Sequence, residues 1–137
     1  MTASSVFPLS DDFYASYLGR LNETRGRGGW CPKTKFNRTD YLQVDMGSVL
    51  SVCAVATQGG EVLSEWTTSY KLRLSIDGLT WNTYGETNTT KVFQGNSDQT
   101  SIVKNSLRTD FKARYVRFYP VSYHWWPCLR VEIYVFK

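Results

Sequence analysis

Asp40-Tyr41-Leu42-Gln43-Val44-Asp45-Met46-Gly47, Ala54-Val55-Ala56-Thr57-Gln58-Gly59-Gly60 and Ala113-Arg114-Tyr115-Val116-Arg117-Phe118-Tyr119-Pro120 decide how this chain folds. Each reads as an alternating, half-buried strand. Around them, strand candidates recur roughly every 8 to 12 residues, separated by turn chemistry. Ser75-Ile76-Asp77-Gly78 predicts a tight turn, because Asp bonds locally to the backbone and Gly accepts positive φ. Leu72 and Leu74 alternate with Lys71 and Arg73 before it, and Trp81 follows, so an antiparallel hairpin is expected. Gly95-Asn96-Ser97-Asp98 predicts a second turn, between Lys91-Val92-Phe93-Gln94 and Thr100-Ser101-Ile102-Val103. No apolar pattern of helical period runs long enough for a helix. The fold class is all-β: a jelly-roll-like β-sandwich or distorted barrel of about eight main strands.

At 137 residues the chain reads as a single domain, 1–137, able to bury about two-thirds of its unfolded surface in one core. No apolar run reaches the roughly 18 residues of a membrane span. Met1 is followed by Thr2-Ala3-Ser4-Ser5 with no signal peptide, so either a recombinantly expressed segment or a processed piece of a longer secreted chain is expected. The net charge of +4 leans toward anionic partners: acidic lipid head groups, sulfated glycans or sialic acid. Nucleic acid is not expected, because the basic residues are scattered and no zinc-finger or RNA-recognition motif occurs. Most of them read as ordinary solvated surface. Three Asn-X-Ser/Thr sequons, at Asn22, Asn37 and Asn88, fall in polar stretches between strand candidates. That placement fits an extracellular glycoprotein. Cys31, Cys53 and Cys128 allow three alternative pairs. Cys53 sits in a strand-like run, where a free thiol serves as a small buried apolar residue.

In order and spacing, the three opening stretches resemble the discoidin, or coagulation factor V/VIII type C, family. Trp30-Cys31-Pro32 and Leu129-Arg130-Val131-Glu132-Ile133-Tyr134 extend the resemblance over nearly the whole chain. It implies an extracellular binding module, secreted or part of a cell-surface protein, with loops projecting from one end of a rigid barrel. The motifs resemble in particular the discoidin-domain receptors and the contactin-associated adhesion proteins. The resemblance to the receptors implies a Cys31–Cys128 disulfide, whose loop is worth up to ~4.7 kcal/mol in the chain-entropy model. Relative to the family, an opening segment with a cysteine is absent, and Phe136 falls where the last cysteine would. The Cys31–Cys128 bridge is therefore expected to carry the covalent stabilisation alone.

Carried over residue by residue, the first binding loop falls within Phe7–Tyr14 and the second within Gly59–Trp66. Arg25–Trp30 and Ser122–Trp126 are expected at the same end. The candidate ligand-binding residues are Phe7, Leu9, Asp11, Asp12, Arg25, Arg27, Val62, Leu63, Tyr123, His124, Trp125 and Trp126. Asp11 and Asp12 at the first tip oppose insertion into an anionic bilayer, while Val62 and Leu63 are apolar tips suited to one. The collagen-binding receptors use Trp, Asp and Arg where this chain has Phe7, Arg27 and Gly60, so the framework is shared without the collagen-reading residues. The stretch from Ala54 to Tyr70 resembles the adhesion proteins and implies recognition at a cell surface. Tyr123-His124-Trp125-Trp126 is the best sugar or partner platform, because aromatic faces stack on pyranoses and anchor interfaces. One of its tryptophans is expected to be buried and the other partly exposed. Trp66 is expected to pack at the barrel rim. The family likeness implies that Asp45, Arg117, Arg130 and Glu132 form buried ion pairs.

Catalytic chemistry has no support in the sequence. His124 is the sole histidine, and no nucleophile elbow, His-Glu-x-x-His, P-loop or Cys-x-x-Cys occurs. No cofactor or metal is expected. The reading is a non-enzymatic module for a cell-surface or matrix protein or glycan. The alternative is peripheral binding to phosphatidylserine-rich membranes.

Overall fold

The computed structural model describes residues 1–7, 16, 19–25, 28–35, 37–61, 63–86 and 89–136. Among them run the strands β1 (Thr2–Ala3), β2 (Leu42–Gln58), β3 (Trp66–Ser75), β4 (Asn82–Thr83), β5 (Gly85–Glu86), β6 (Thr89–Thr90), β7 (Phe93–Gln94), β8 (Val103–His124) and β9 (Arg130–Val135). No α-helix occurs among the described residues. Seven strands form one antiparallel sheet ordered β1-β2-β8-β3-β4, with β9 added to β2 and β7 added to β3. β5 and β6 pair separately.

The sheet closes on itself because β2 and β8 are long and change partners along their length. The start of β2, Leu42–Asp45, pairs with Tyr115–Phe118, and its end, Ala54–Thr57, pairs with Val103–Ser106. Register breaks lie between, after Asp45 and again after Val52. Gly47 turns the first break with φ 83°, a backbone conformation that costs glycine nothing. Beyond it, β9 covers the other edge of β2 from Val52 to Gln58. Ala54 to Gly60, the end of β2 and the two residues after it, is buried without alternation, as expected where both faces are covered.

Alternation is clean where one face meets solvent. Val116, Phe118 and Pro120 of β8 and Tyr70, Leu72 and Leu74 of β3 point inward. Tyr115, Arg117, Tyr119, Lys71 and Arg73 are only partly covered. The inward set joins Trp30, Leu42, Val55, Tyr84, Phe93, Leu129 and Val131 in one core. Each fully buried aliphatic or Phe side chain there contributes about 1.5–3 kcal/mol. Tyr70 stacks on Phe93 at 5.2 Å, and its hydroxyl accepts a bond from Asn105. Burial pushes its pKa up to about 12.

The Asp77-Gly78 turn joins β3 to β4 as an antiparallel hairpin. The Asp77 carboxylate accepts bonds from the Leu79 and Thr80 N–H groups, and Gly78 has φ 79°. The Gly95–Asp98 turn differs from a simple hairpin. The strand before it pairs with β3, whereas Val103 onward pairs with β2. Buried Asn96 anchors the turn by donating to the Thr57 and Ser101 carbonyls. Cys53 is a free thiol, but half-buried and not fully inside, because it sits at the second break in β2.

Candidate functional site

The loops at one end are drawn together by backbone bonds. Trp30 and Leu129 exchange hydrogen bonds, the Glu61 N–H donates to the Gly28 carbonyl, and the Gly60 N–H donates to that of Glu65. Gly28 adopts φ 61°, and a Cβ there would meet that of Glu61 at 2.3 Å, so glycine is needed twice over. The Cys31–Cys128 disulfide spans 97 residues and locks the same end. Glu65 lies near both sulfurs, but a disulfide offers no thiolate, so the group is no metal site.

Arg130 is the hidden clamp of this end. Its side chain is buried and donates from Nε to the Gly59 carbonyl, from one terminal nitrogen to Glu23 and from the other to Gln99. One guanidinium thereby ties three separate loops to β9. The expected buried ion pairs are corrected here. Arg130 is satisfied by carbonyls and has no carboxylate within 4.0 Å among the described residues, though the charges of Glu61 and Glu23 act on it from farther away. Glu132 pairs with Arg20 and Asp45 with Arg114, both near the surface. Arg117 lies between the Tyr41 and Trp81 rings and donates to Gln43. A central guanidinium is cheaper to bury against fixed carbonyl dipoles than a bare charge, and these pairs near the surface need less desolvation than buried ones.

The aromatic cluster divides into packing and presentation. Trp126 donates from Nε1 to the Pro32 carbonyl at 2.9 Å and meets Phe7 edge-on at 5.1 Å, beside the disulfide. Trp66 stacks flat on His124 at 4.1 Å, where the start of β3 pairs with the end of β8. The His124 Nδ1–H donates to the Ser64 carbonyl, which holds the ring over Trp66. Tyr123 is half-buried opposite Thr67. Trp125 stands apart: it is 70% exposed and has φ 64°. Bonds from the Trp126 N–H to His124 and from the Cys128 N–H to Trp126 hold its backbone there. Leu63, 44% exposed, joins it with Ser64 and Glu65 around an open depression of about 380 Å³.

Of the other candidates, Arg25 is engaged by Glu23 through paired bonds of 2.8 and 2.9 Å. Those bonds hold the Glu23 carboxyl down at about 2. Leu9, Asp11, Asp12, Arg27, Val62 and Asn88 lie outside the described residues. Asn22 and Asn37 are exposed, though each side chain already has local partners: Gln58 for Asn22, and Thr39 for Asn37. Sequence reasoning missed Ser64 and Glu65 as lining residues and Arg130 as the clamp.

A curled antiparallel sandwich, stapled at the end where its loops converge, defines a discoidin-type fold. The chain belongs to the F5/8 type C domain family, whose model matches residues 1–133. It is 39% identical over 119 residues to lactadherin of Rattus norvegicus, covering 85% of this chain and 28% of that protein. Among solved structures it is similar to discoidin II of Dictyostelium discoideum, with a TM-score of 0.86 and 26% identity, over 97% of this chain and 52% of that one. CpGH89CBM32-5 from Clostridium perfringens, solved in complex with GalNAc-β-1,3-galactose, shares the fold with a TM-score of 0.73 at 14% identity, over 98% of this chain and 93% of that one. The chain thus spans little more than a quarter of the lactadherin it matches.

Proposed function

We propose that this chain is a single, non-enzymatic, extracellular ligand-binding domain that recognises a cell-surface or matrix glycan or protein through the Leu63–Trp125 tip. The carrying observation is Trp125, a large apolar ring held exposed on a left-handed backbone. That conformation costs a non-glycine residue about 1–2 kcal/mol, and such strain clusters at functional sites. Packing does not explain it, since the ring is mostly in water. A flat indole beside the Ser64 and Glu65 polar groups is the pairing a pyranose requires: a stacking face plus partners for its hydroxyls. A protein side chain would use the same anchor. The solved disaccharide complex on this fold is a precedent for the architecture and no guide to the sugar.

The second reading, peripheral binding to phosphatidylserine-rich membrane, is favoured by exposed Leu63 next to Trp125. Glu65 in the same depression weighs against it, because an anionic surface repels a carboxylate. The test is a glycan array run beside phosphatidylserine and phosphatidylcholine vesicles, with Trp125→Ala and Leu63→Asp variants. Glycan binding that falls about tenfold or more in Trp125→Ala, with near-ultraviolet circular dichroism unchanged, supports the first reading. Phosphatidylserine-selective binding abolished by Leu63→Asp, with no glycan signal, replaces it with the second. Silence on both directs the search to a protein partner.

A further inference from the structure

We infer that the outer face of the β3–β8 sheet carries a separate anion site, suited to the sulfate ester of a sulfated glycan. A cavity of about 320 Å³ opens there, lined by Arg38, Lys71, Arg73, Thr83, Thr90 and Tyr119. Among the described residues it has three cations and no carboxylate in its wall.

Strand register concentrates the charge. Lys71 pairs with Tyr119 and Arg73 with Arg117 across β3 and β8, so two guanidinium groups face each other on one side of the sheet. Like charges directly opposite each other destabilise a sheet unless something neutralises them. Asp45 is taken by Arg114, Glu23 by Arg25 and Glu132 by Arg20. Among the described residues no carboxylate lies within 4.0 Å of Arg38, Lys71, Arg73 or Arg117. Arg117 is steadied instead by two rings, with Tyr41 at 4.0 Å and Trp81 at 3.8 Å. Among the described residues Arg73 has no such support, and its Nε is buried without a hydrogen-bond acceptor. A buried donor left unmet is unfavourable, and a bound oxyanion supplies the missing acceptor with charge assistance.

The chemistry selects a sulfated sugar over the other sources of a tetrahedral oxyanion. Hydroxyls of Thr83, Thr90 and Tyr119 stand among the cations and match the hydroxyls of a sugar ring. Arg117, two residues from Tyr119 and so on the same face, continues the positive surface beyond the cavity, as a repeating polyanion requires. A lipid phosphate is poorly placed. Lys71 and Arg73 lie five to seven residues along β3 from Trp66 at the loop end, about 20 Å at strand rise. A membrane met by the Leu63–Trp125 tip does not reach them.

The experiment titrates the whole chain with a size-defined heparin octasaccharide, its desulfated counterpart, inorganic sulfate and phosphatidylserine vesicles. Variants are Arg73→Gln, Lys71→Gln and Arg38→Gln, the last at an exposed position and therefore the least risk to folding. The sulfated octasaccharide is expected to bind, more weakly as salt rises, with affinity falling about tenfold in Arg73→Gln. Inorganic sulfate is expected to compete, and Trp125→Ala to change nothing. Equal binding of the desulfated sugar overturns the inference. So does binding that survives all three substitutions, or vesicle capture lost in these variants without any oligosaccharide binding. Because Trp125→Ala reads the loop tip alone, failure of either site leaves the other intact.

Discussion

Trp125 and Trp126 are neighbours in the chain with opposite circumstances. Trp126 is half-buried, hydrogen-bonded to Pro32 and braced by Phe7 against the Cys31–Cys128 bridge. Trp125 is mostly in water and holds a positive φ. The contrast separates the residues that build the loop end from the one that it displays. Cations divide the same way: Arg25, Arg114 and Arg130 are engaged within the fold, whereas among the described residues Arg73 and Arg38 have no carboxylate within 4.0 Å, and the Arg73 Nε has no acceptor.

The largest effect belongs to the covalent side of that contrast. Replacing both Cys31 and Cys128 by Ser releases a closure of 97 residues and is expected to cost about 4 kcal/mol. Urea denaturation measures it. A cost below about 1 kcal/mol would mean that backbone bonds between Trp30 and Leu129 hold the end by themselves.

Trp126→Ala comes next. The ring is half-buried, so about 3 kcal/mol is expected, at the low end for a tryptophan truncation. The Pro32 carbonyl also loses its donor. If thermal unfolding showed Trp126→Ala as mild as a surface substitution, the division between the two tryptophans would collapse.

Arg130→Met is expected to cost about 2 kcal/mol, since it strips donors from the Gly59, Glu23 and Gln99 carbonyls. Amide exchange should quicken in those three loops and stay slow in β3. Uniform quickening would show that Arg130 acts on global stability and does not clamp the loop end. This residue also marks the limit of what the sequence discloses. The Asp77-Gly78 hairpin was legible because Asp and Gly act within a few residues of each other. The disulfide came from family likeness, not from spacing. That two adjacent tryptophans would differ in burial was legible, though Trp126 is only half-buried where full burial was expected; which one packs was not legible. That choice depends on Trp126 reaching Pro32, 94 positions away. Arg130 looked like half of an ion pair, yet its partners are backbone carbonyls on three distant segments. Asp45 likewise joins Arg114 rather than any of the expected partners, because it faces Tyr115 in register just before β2 breaks. Carbonyl partners carry no side-chain identity, so no residue pattern announces them.

Trp125→Asn tests the display side with a small number. Asn tolerates a left-handed backbone, so stability should hold or rise by less than about 1 kcal/mol, while ligand binding at the tip is lost. A drop of more than about 1.5 kcal/mol would place Trp125 among the builders.

The smallest effect concerns acid. Arg25 bonds hold Glu23 at about 2, and Arg114 bonds do the same for Asp45. A carboxyl whose folded pKa is depressed adds stability that is complete above its ordinary titration range and is lost as pH falls through the folded value. The urea midpoint should therefore stay level from neutral pH to about 5 and decline toward pH 2. High salt should flatten that decline, because both pairs are exposed and screened. Glu23→Gln with Asp45→Asn should make the acid limb shallower; an unchanged limb would show that the pairs do not form in solution. Glu23→Gln also removes the Glu23–Arg25 ion pair at the loop end. If sugar binding at the tip then strengthens for acidic glycans alone, Glu23 is what keeps this end selective for neutral ones, and the sulfate-binding cations of β3 are left as the domain's distinct route to anionic ligands.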